Sequence, residues 1–324
     1  MDKTRTAIGI DFGGTFIKAG VVSGEGKLLS RDRISTEATA GRDAVIDRIA
    51  QVAESVREKA GLTWDEIDAL GIGTPGPVNP ERGILTIAVN VPGWINVPLK
   101  DIFEARFNVK TTIVNDANAA TYGEYWVGAG HGCGSMILLT LGTGIGGGYV
   151  LDGNLWAGID GTAAEIGHTT ICYNGPECSC GSFGCIEAYA SATAIVRRAK
   201  EAIAEGKASS LAKIDTERLT AKDIHEAAVA GDELAITIIE DTGKYLGILC
   251  GNLVNIFNPE IILFSGGVAD AGEMLFGPVR EVMKKRSYEA GAARVKILLA
   301  ALPGDAGIIG AAGCALKALE TSAS

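Results

Sequence analysis

The chain has 324 residues, 47 % of them hydrophobic and 21 % charged, with a formal net charge of −10. That length points to two domains with sizeable cores, and the acidic balance excludes the basic surface that nucleic acid or an anionic membrane requires. No apolar run reaches the roughly eighteen residues of a membrane span. The opening Met1-Asp2-Lys3-Thr4-Arg5-Thr6 has no apolar signal core, and an odd count of seven cysteines favours a reducing cytoplasm over a disulfide framework.

Residues 6–11 read as a short apolar strand ending in the carboxylate of Asp11. Phe12-Gly13-Gly14-Thr15 is a turn that needs positive φ or close backbone approach. Residues 16–22 form the return strand, with Lys18 projecting from it, and 28–34 a third strand. The hairpin has two readings. It is a tight turn without a ligand, or a phosphate cradle: glycine N–H groups, the Thr15 hydroxyl and the Lys18 ammonium face phosphate oxygens, and Asp11 partners a Mg2+ ion on them. It is not a P-loop, because no Gly-Lys-Ser/Thr opens a helix, and not a dinucleotide fingerprint, because a strand follows.

Residues 43–59 carry Val45, Ile46, Ile49, Val52, Ala53 and Val56 at helical spacing. A strand at 67–72 runs into the rigid Gly73-Thr74-Pro75-Gly76-Pro77. Residues 83–100, which include Asn90-Val91-Pro92-Gly93-Trp94, read as a loop by their Pro and Gly content. A short helix at 99–107 and a strand at 111–114 lead to Asn115-Asp116-Ala117-Asn118, where a helix to about residue 126 begins. Asp116 is either the N-cap of that helix or a general base at a strand-to-helix junction. Asn115 adds a second polar group aimed at the same space.

Residues 134–141, Gly142-Thr143-Gly144-Ile145-Gly146-Gly147-Gly148 and 149–151 repeat the opening strand, glycine turn and strand. A degenerate internal repeat is expected, its two hairpins clamping one nucleotide across a cleft. The densest chemistry follows, in Glu165-Ile166-Gly167-His168 and Cys178-Ser179-Cys180-Gly181-Ser182-Phe183-Gly184-Cys185-Ile186-Glu187. His168, Cys178, Cys180 and Cys185 form a Cys3His set suited to a structural zinc ion; the alternative is a group of unrelated buried thiols. Zinc would stiffen a polar, Gly-rich loop and fix Glu165 and Glu187 at its two ends.

From Glu187 a helix is expected to about residue 204, then a surface connection at 205–220 and helices at 221–230 and 233–257. The last is apolar on most sides, hence buried, and is stopped by Asn258-Pro259. A strand at 260–264 enters Ser265-Gly266-Gly267, a glycine pair suited to lie against a nucleoside. A helix at 273–286, a strand at 295–299 and an Ala-rich helix opening at Asp305 close the chain.

Together, Asp11-Phe12-Gly13-Gly14-Thr15-Phe16-Ile17-Lys18, Asn115-Asp116-Ala117-Asn118-Ala119-Ala120, Leu141 to Gly148, Glu165 to His168 and Cys178 to Glu187 resemble the ROK family (repressors, open reading frames, kinases) over essentially the whole chain. Within it, Asn90-Val91-Pro92-Gly93-Trp94 with Asn96-Val97-Pro98-Leu99 is similar to bacterial ATP-dependent glucokinases. The resemblance implies an α/β, actin-like (ribonuclease H-like) sugar kinase fold, with a cleft between two α/β domains. These would be residues 1–116, completed by a C-terminal helix at about 306–324, and residues 117–305 with the zinc loop.

It implies an enzyme that moves the γ-phosphoryl group of ATP to the 6-hydroxyl of D-glucose, with Mg2+ and a structural Zn2+. Asp116 would be the base; Asn90, Asn115, Glu165, His168 and Glu187 would hold the sugar. Asp11, Gly13, Gly14, Thr15, Lys18, Thr143 and Gly144 would face the phosphates and Mg2+, and Gly266 and Gly267 the nucleoside. His168 would put one ring nitrogen on zinc and the other on a sugar hydroxyl. Family members also include kinases for N-acetylglucosamine, N-acetylmannosamine, fructose and allose, and sugar-responsive regulators with a helix-turn-helix domain, for which little room precedes Asp11. A cytoplasmic homodimer or homotetramer acting on hexose and ATP, without nucleic acid or membrane, is the expectation.

Overall fold

The computed structural model describes residues 2–88, 91, 93–302 and 304–322. In chain order the elements are β1 (Thr6–Phe12), β2 (Phe16–Ser23), β3 (Leu28–Ser35), α1 (Arg42–Ala60), β4 (Ala69–Thr74), β5 (Val78–Asn79), β6 (Ile84–Ile87), β7 (Ile95–Val97), α2 (Leu99–Phe107), β8 (Lys110–Asn115) and α3 (Asp116–Val127). Then come β9 (Met136–Leu141), β10 (Ile145–Leu151), β11 (Asn154–Leu155), α4 (Glu187–Ala190), α5 (Ala192–Ala204), α6 (Ala221–Val229), α7 (Glu233–Phe257), β12 (Ile261–Ser265), α8 (Glu273–Arg286), α9 (Glu289–Ala292), β13 (Lys296–Leu299) and α10 (Ala306–Ser322).

Two five-stranded sheets form, in the orders β3-β2-β1-β4-β8 and β11-β10-β9-β12-β13. Each places its own strands third, second, first, fourth, fifth, so the expected repeat extends from the glycine hairpins to whole sheets. In the first sheet β1 is antiparallel to β2 and parallel to β4, which is parallel to β8. By contacts the chain divides into one unit of residues 1–134, 148–164 and 301–324, and another of 135–147 and 165–300. The first unit reaches past the expected break after Asp116, because α3 packs on α10 and β4.

In the first unit, β1 and β4 sort their side chains by size. Ile8, Ile10, Phe12, Leu70 and Ile72 join the core built with α1, while Ala7 and Ala69 face α10. Gly9 and Gly71 extend that small face: a Cβ on either would sit 1.9 Å from a carbonyl oxygen of α10, Ile308 and Ala311 respectively. The last helix therefore lies against the sheet at backbone distance. On the opposite face α1 buries Val45, Ile46, Ile49, Val52, Ala53 and Val56, the stripe its spacing predicts. Glu124 on α3 is fully buried and accepts the N–H groups of Ala129 at 2.9 Å, Ala301 at 3.0 Å and Leu302 at 2.7 Å. It pins the chain as it returns toward α10.

Three expectations change. Residues 83–100 are not all loop: β6 pairs antiparallel with β5 and β7, around a buried Trp94 whose ring lies 4.9 Å from that of Phe12. Burial of that indole and of Val97 overrides the local Pro and Gly content. The helix from Glu187 breaks at Ser191, which adopts extended φ −71°, ψ 162° and caps α5. α7 is buried along one side only; Ile256 is exposed, and Asn258 ends the helix in the left-handed region at φ 45°.

Candidate active site

The first unit gathers Asp11, Gly13, Gly14, Thr15, Lys18, Asn115 and Asp116. β1 and β8 run parallel on either side of β4, so Asp11 and the Asn115-Asp116 pair emerge at the same, carboxyl edge of the sheet, where α/β folds place ligands. Asn115 and not Asp116 is the N-cap of α3. Its Oδ1 accepts the N–H groups of Ala117 at 3.0 Å and Asn118 at 3.1 Å, and its Nδ2 donates to the Gly76 carbonyl at 3.3 Å. Asp116 is left with the Ala117 N–H, at 2.7 Å. Burial pushes its carboxyl up to about 6, against the pull of that N–H, and the negative charge of Asp11 adds to the rise.

Asp11 and Lys18 are cross-strand partners, with Nζ 3.3 Å from Oδ2. The turn between them closes with the Gly13 N–H on the Phe16 carbonyl at 3.0 Å. Neither Gly13 nor Gly14 has positive φ; of the two expected needs, close backbone approach is the one met, since a Cβ on Gly13 would lie 3.0 Å from the Phe16 carbonyl oxygen. A buried Thr36 holds the turn instead, its N–H on the Thr15 carbonyl at 2.9 Å and its hydroxyl on the Gly13 carbonyl at 2.6 Å. Gly14 and Thr15 stay exposed. An oxygen-donor carboxylate of this kind fits Mg2+, which is held by one or two carboxylates together with phosphate and water.

The second unit gathers Thr143, Gly144, Glu165, His168, the three cysteines, Glu187, Gly266 and Gly267. Gly266 follows β12 with φ 92°, against the carbonyl of Leu141, and Gly267 lies exposed beside it. Glu187 opens α4, and its Oε2 accepts the Ile145 N–H at 2.9 Å. Gly144 makes room for it, since a Cβ there would lie 2.4 Å from Oε2. The start of α5 grips the same turn: the Ala192 N–H donates to Gly142 and the Thr193 hydroxyl to the Thr143 carbonyl, both at 2.9 Å. Glu165 is exposed and precedes the short turn Ile166–His168. Asn90 lies outside the described residues.

His168, Cys178, Cys180 and Cys185 converge, their ligand atoms all within 4.8 Å of one another. Cys178 Sγ is 3.7 Å from His168 Nδ1, and the Sγ atoms of Cys180 and Cys185 are 3.8 Å apart. A tetrahedron with Zn–S bonds of about 2.3 Å has sulfur–sulfur edges of about 3.8 Å. The donor set therefore fits zinc, and Nδ1 is the nitrogen turned toward it, leaving Nε2 for another partner. Burial pushes the Cys185 thiol up to about 12, whereas the Ser182 N–H holds Cys180 below the ordinary thiol range. A metal ion taken up here would displace protons.

The ROK family model matches residues 7–318. The chain belongs to the ROK family. The glucokinase of Thermotoga maritima is 41 % identical over 307 residues, which cover 94 % of this chain and 95 % of that protein. The xylose repressor of Caldicellulosiruptor bescii is 32 % identical over 304 residues, covering 94 % of this chain and 76 % of the repressor. The crystal structure of a ROK family glucokinase from Streptomyces griseus in complex with glucose and AMPPNP aligns with a TM-score of 0.80 at 37 % identity, covering 96 % of this chain and 99 % of that one. The fold is the actin-like, ribonuclease H-like fold of ROK sugar kinases.

In this ROK protein, sequence reasoning passed over Thr36, Glu124, Ser179 and Thr193. Thr36, Glu124 and Thr193 carry no local signal, because each acts on a backbone group that the fold brings to it. Only Ser179 was detectable in principle, as a hydroxyl flanked by two ligands. Among the described residues no helix is long and apolar enough to cross a membrane.

Proposed function

We propose that the protein is an ATP-dependent glucokinase that transfers the γ-phosphoryl group of ATP to the 6-hydroxyl of D-glucose. The observation that carries this reading is Asp116: a half-buried carboxylate poised at about 6, relieved of capping duty by Asn115 and placed at the sheet's carboxyl edge beside Asp11. A base tuned near the working pH is effective in both accepting and releasing a proton. The names of the Thermotoga maritima and Streptomyces griseus proteins support glucose as the sugar.

Phosphoryl transfer asks mainly for positioning and charge neutralisation. Asp116 takes the proton of the 6-hydroxyl as its oxygen attacks the γ-phosphorus and the ADP oxygen leaves. Asn115 fixes Asp116 through the helix cap and keeps one amide hydrogen for the sugar. Glu165, Glu187 and Nε2 of His168 supply acceptors and a donor for the other ring hydroxyls, with Asn90 as a further candidate. Asp11 holds Mg2+, which when bound neutralises phosphate charge, and Lys18, Thr15 and the Gly13-Gly14 backbone line the same phosphates. In the second unit, Thr143 and Gly144 of the other glycine turn are the candidate phosphate contacts and Gly266-Gly267 the candidate nucleoside contact. Zinc on His168, Cys178, Cys180 and Cys185 has a structural part.

An ADP-release assay with Mg-ATP and a panel of glucose, mannose, fructose, N-acetylglucosamine and N-acetylmannosamine tests the reading. Glucose is expected to give the highest kcat/KM. Preference for an N-acetyl sugar would keep the mechanism and replace the substrate. Sugar binding without turnover would favour a sugar-responsive regulator, the reading that likeness to the xylose repressor brings forward. Size-exclusion chromatography of the same preparation reads out the homodimer or homotetramer implied by the family resemblance.

A further inference from the structure

One carboxylate joins two loops of the second unit. Glu187 Oε2 accepts the Ile145 N–H of the glycine turn at 2.9 Å, and Glu187 Oε1 accepts the Ser179 hydroxyl at 3.1 Å. Ser179 sits between the metal-ligating Cys178 and Cys180, and Cys178 Sγ lies 3.8 Å from the same Oε1. The turn is packed around the carboxylate, since Gly144 has no room for a Cβ beneath it. From the other side, Ala192 and Thr193 hold the carbonyls of Gly142 and Thr143. Three backbone groups of the turn are thus gripped by residues 187–193, which follow the cysteine loop without a break.

We propose that Ser179 is a positioning residue for the phosphate turn, acting through Glu187, and that this link makes hexose and nucleotide binding reinforce each other. The inference rests on the reading above, in which Glu187 takes a sugar hydroxyl and the turn takes phosphate. A carboxylate offers about four acceptor positions, so a sugar hydroxyl adds to the two bonds already made without displacing either. A bound hexose then restrains the carboxylate, and with it the Ile145 N–H and the turn. A nucleotide arriving afterwards meets a turn already ordered and loses less entropy on binding. Ser179 sets the other end of the carboxylate. Without its hydroxyl Oε1 is released, and the restraint no longer reaches the turn.

Calorimetric titration of Mg-ADP into zinc-loaded wild type, Ser179→Ala and Ser179→Thr, each with and without saturating glucose, tests the link. Zinc content and glucose turnover are measured alongside. Glucose is expected to tighten Mg-ADP binding to wild type about fivefold or more, with the same factor read in reverse for glucose. Ser179→Ala is expected to keep its zinc while the gain falls below about twofold, and its KM for ATP rises more than its kcat falls. Threonine restores the gain through its hydroxyl. A Ser179→Ala variant with the full gain, or one whose loss tracks lost zinc, overturns the assignment. A wild type that phosphorylates glucose yet shows no gain overturns the link and leaves the kinase reading intact; one that neither binds nor phosphorylates glucose removes both.

Discussion

Asp116, as the proposed base, would trade stability for chemistry. Its folded value is raised from 3.8 to about 6, so the folded state binds its proton more tightly than the unfolded chain does. The sign follows: there is no penalty below both values, it grows as pH rises through that window, and it persists above. It amounts to at most about 3 kcal/mol, at about 1.4 kcal/mol per unit. Asp116→Asn is therefore expected to raise Tm at pH 7 to 8, with the difference shrinking toward pH 4, while kcat drops about a hundredfold or more. In wild type, kcat/KM should fall tenfold per pH unit below about 6. Near-normal turnover in the Asn variant would remove Asp116 as the base. The residue pair is visible in the chain; the extended backbone of Asn115, at φ −64° and ψ 146°, gives it the cap, and the base remains the proposal for Asp116.

At the scale of elements, the cysteine loop is expected to depend on a metal ion held by His168, Cys178, Cys180 and Cys185. Residues 169–186 form no helix or strand, only isolated bridges between Thr170 and Cys185 and between Glu177 and Phe183. Tyr173 and Phe183 point outward, 89 % and 57 % exposed, so apolar packing does little to hold the segment. Zinc analysis should find one ion per chain, and stripping it with a chelator should lower Tm and raise the KM for glucose severalfold. Unchanged sugar affinity in a folded, metal-free protein would uncouple the loop from the sugar. The break between α4 and α5 belongs to the same scale. Residues 187–204 look like one Ala-rich helix; the break puts Ser191 at the cap, its Oγ accepting the Ala194 N–H at 3.2 Å, while the Ala192 N–H meets the Gly142 carbonyl.

Across the whole molecule the chain passes between its units after residues 134, 147, 164 and 300. The first unit is complete only when the last helix arrives. α10 brings the buried Ile308, Ile309 and Leu316 onto Ala7, Val22 and Ala69. Each such side chain contributes about 1.5–3 kcal/mol, so their sum rivals the roughly 5–15 kcal/mol that stabilises a whole protein. A chain ending at residue 300 also leaves Glu124 buried without the N–H groups of Ala301 and Leu302. It should lose cooperative unfolding by calorimetry and aggregate; a soluble truncated protein with the parent Tm would contradict this account.

What the sequence determined by itself is local. Helical spacing marked the buried stripe of α1, glycine turns marked both hairpins, and four candidate metal ligands lie close enough along the chain for their chemistry to be legible. Even the small face of β1 and β4 is written in alternation, Ala7-Ile8-Gly9-Ile10 beside Ala69-Leu70-Gly71-Ile72. Tertiary structure alone decided what covers that face and which distant groups share a hydrogen bond. Glu187 reaches Ile145 across 42 positions, and Glu124 reaches Ala301 across 177. Spacing encodes contacts within a turn or a helix, because local geometry repeats. A bond between remote residues exists only once packing has brought the two backbones to hydrogen-bonding distance, and no pattern along the chain records that distance.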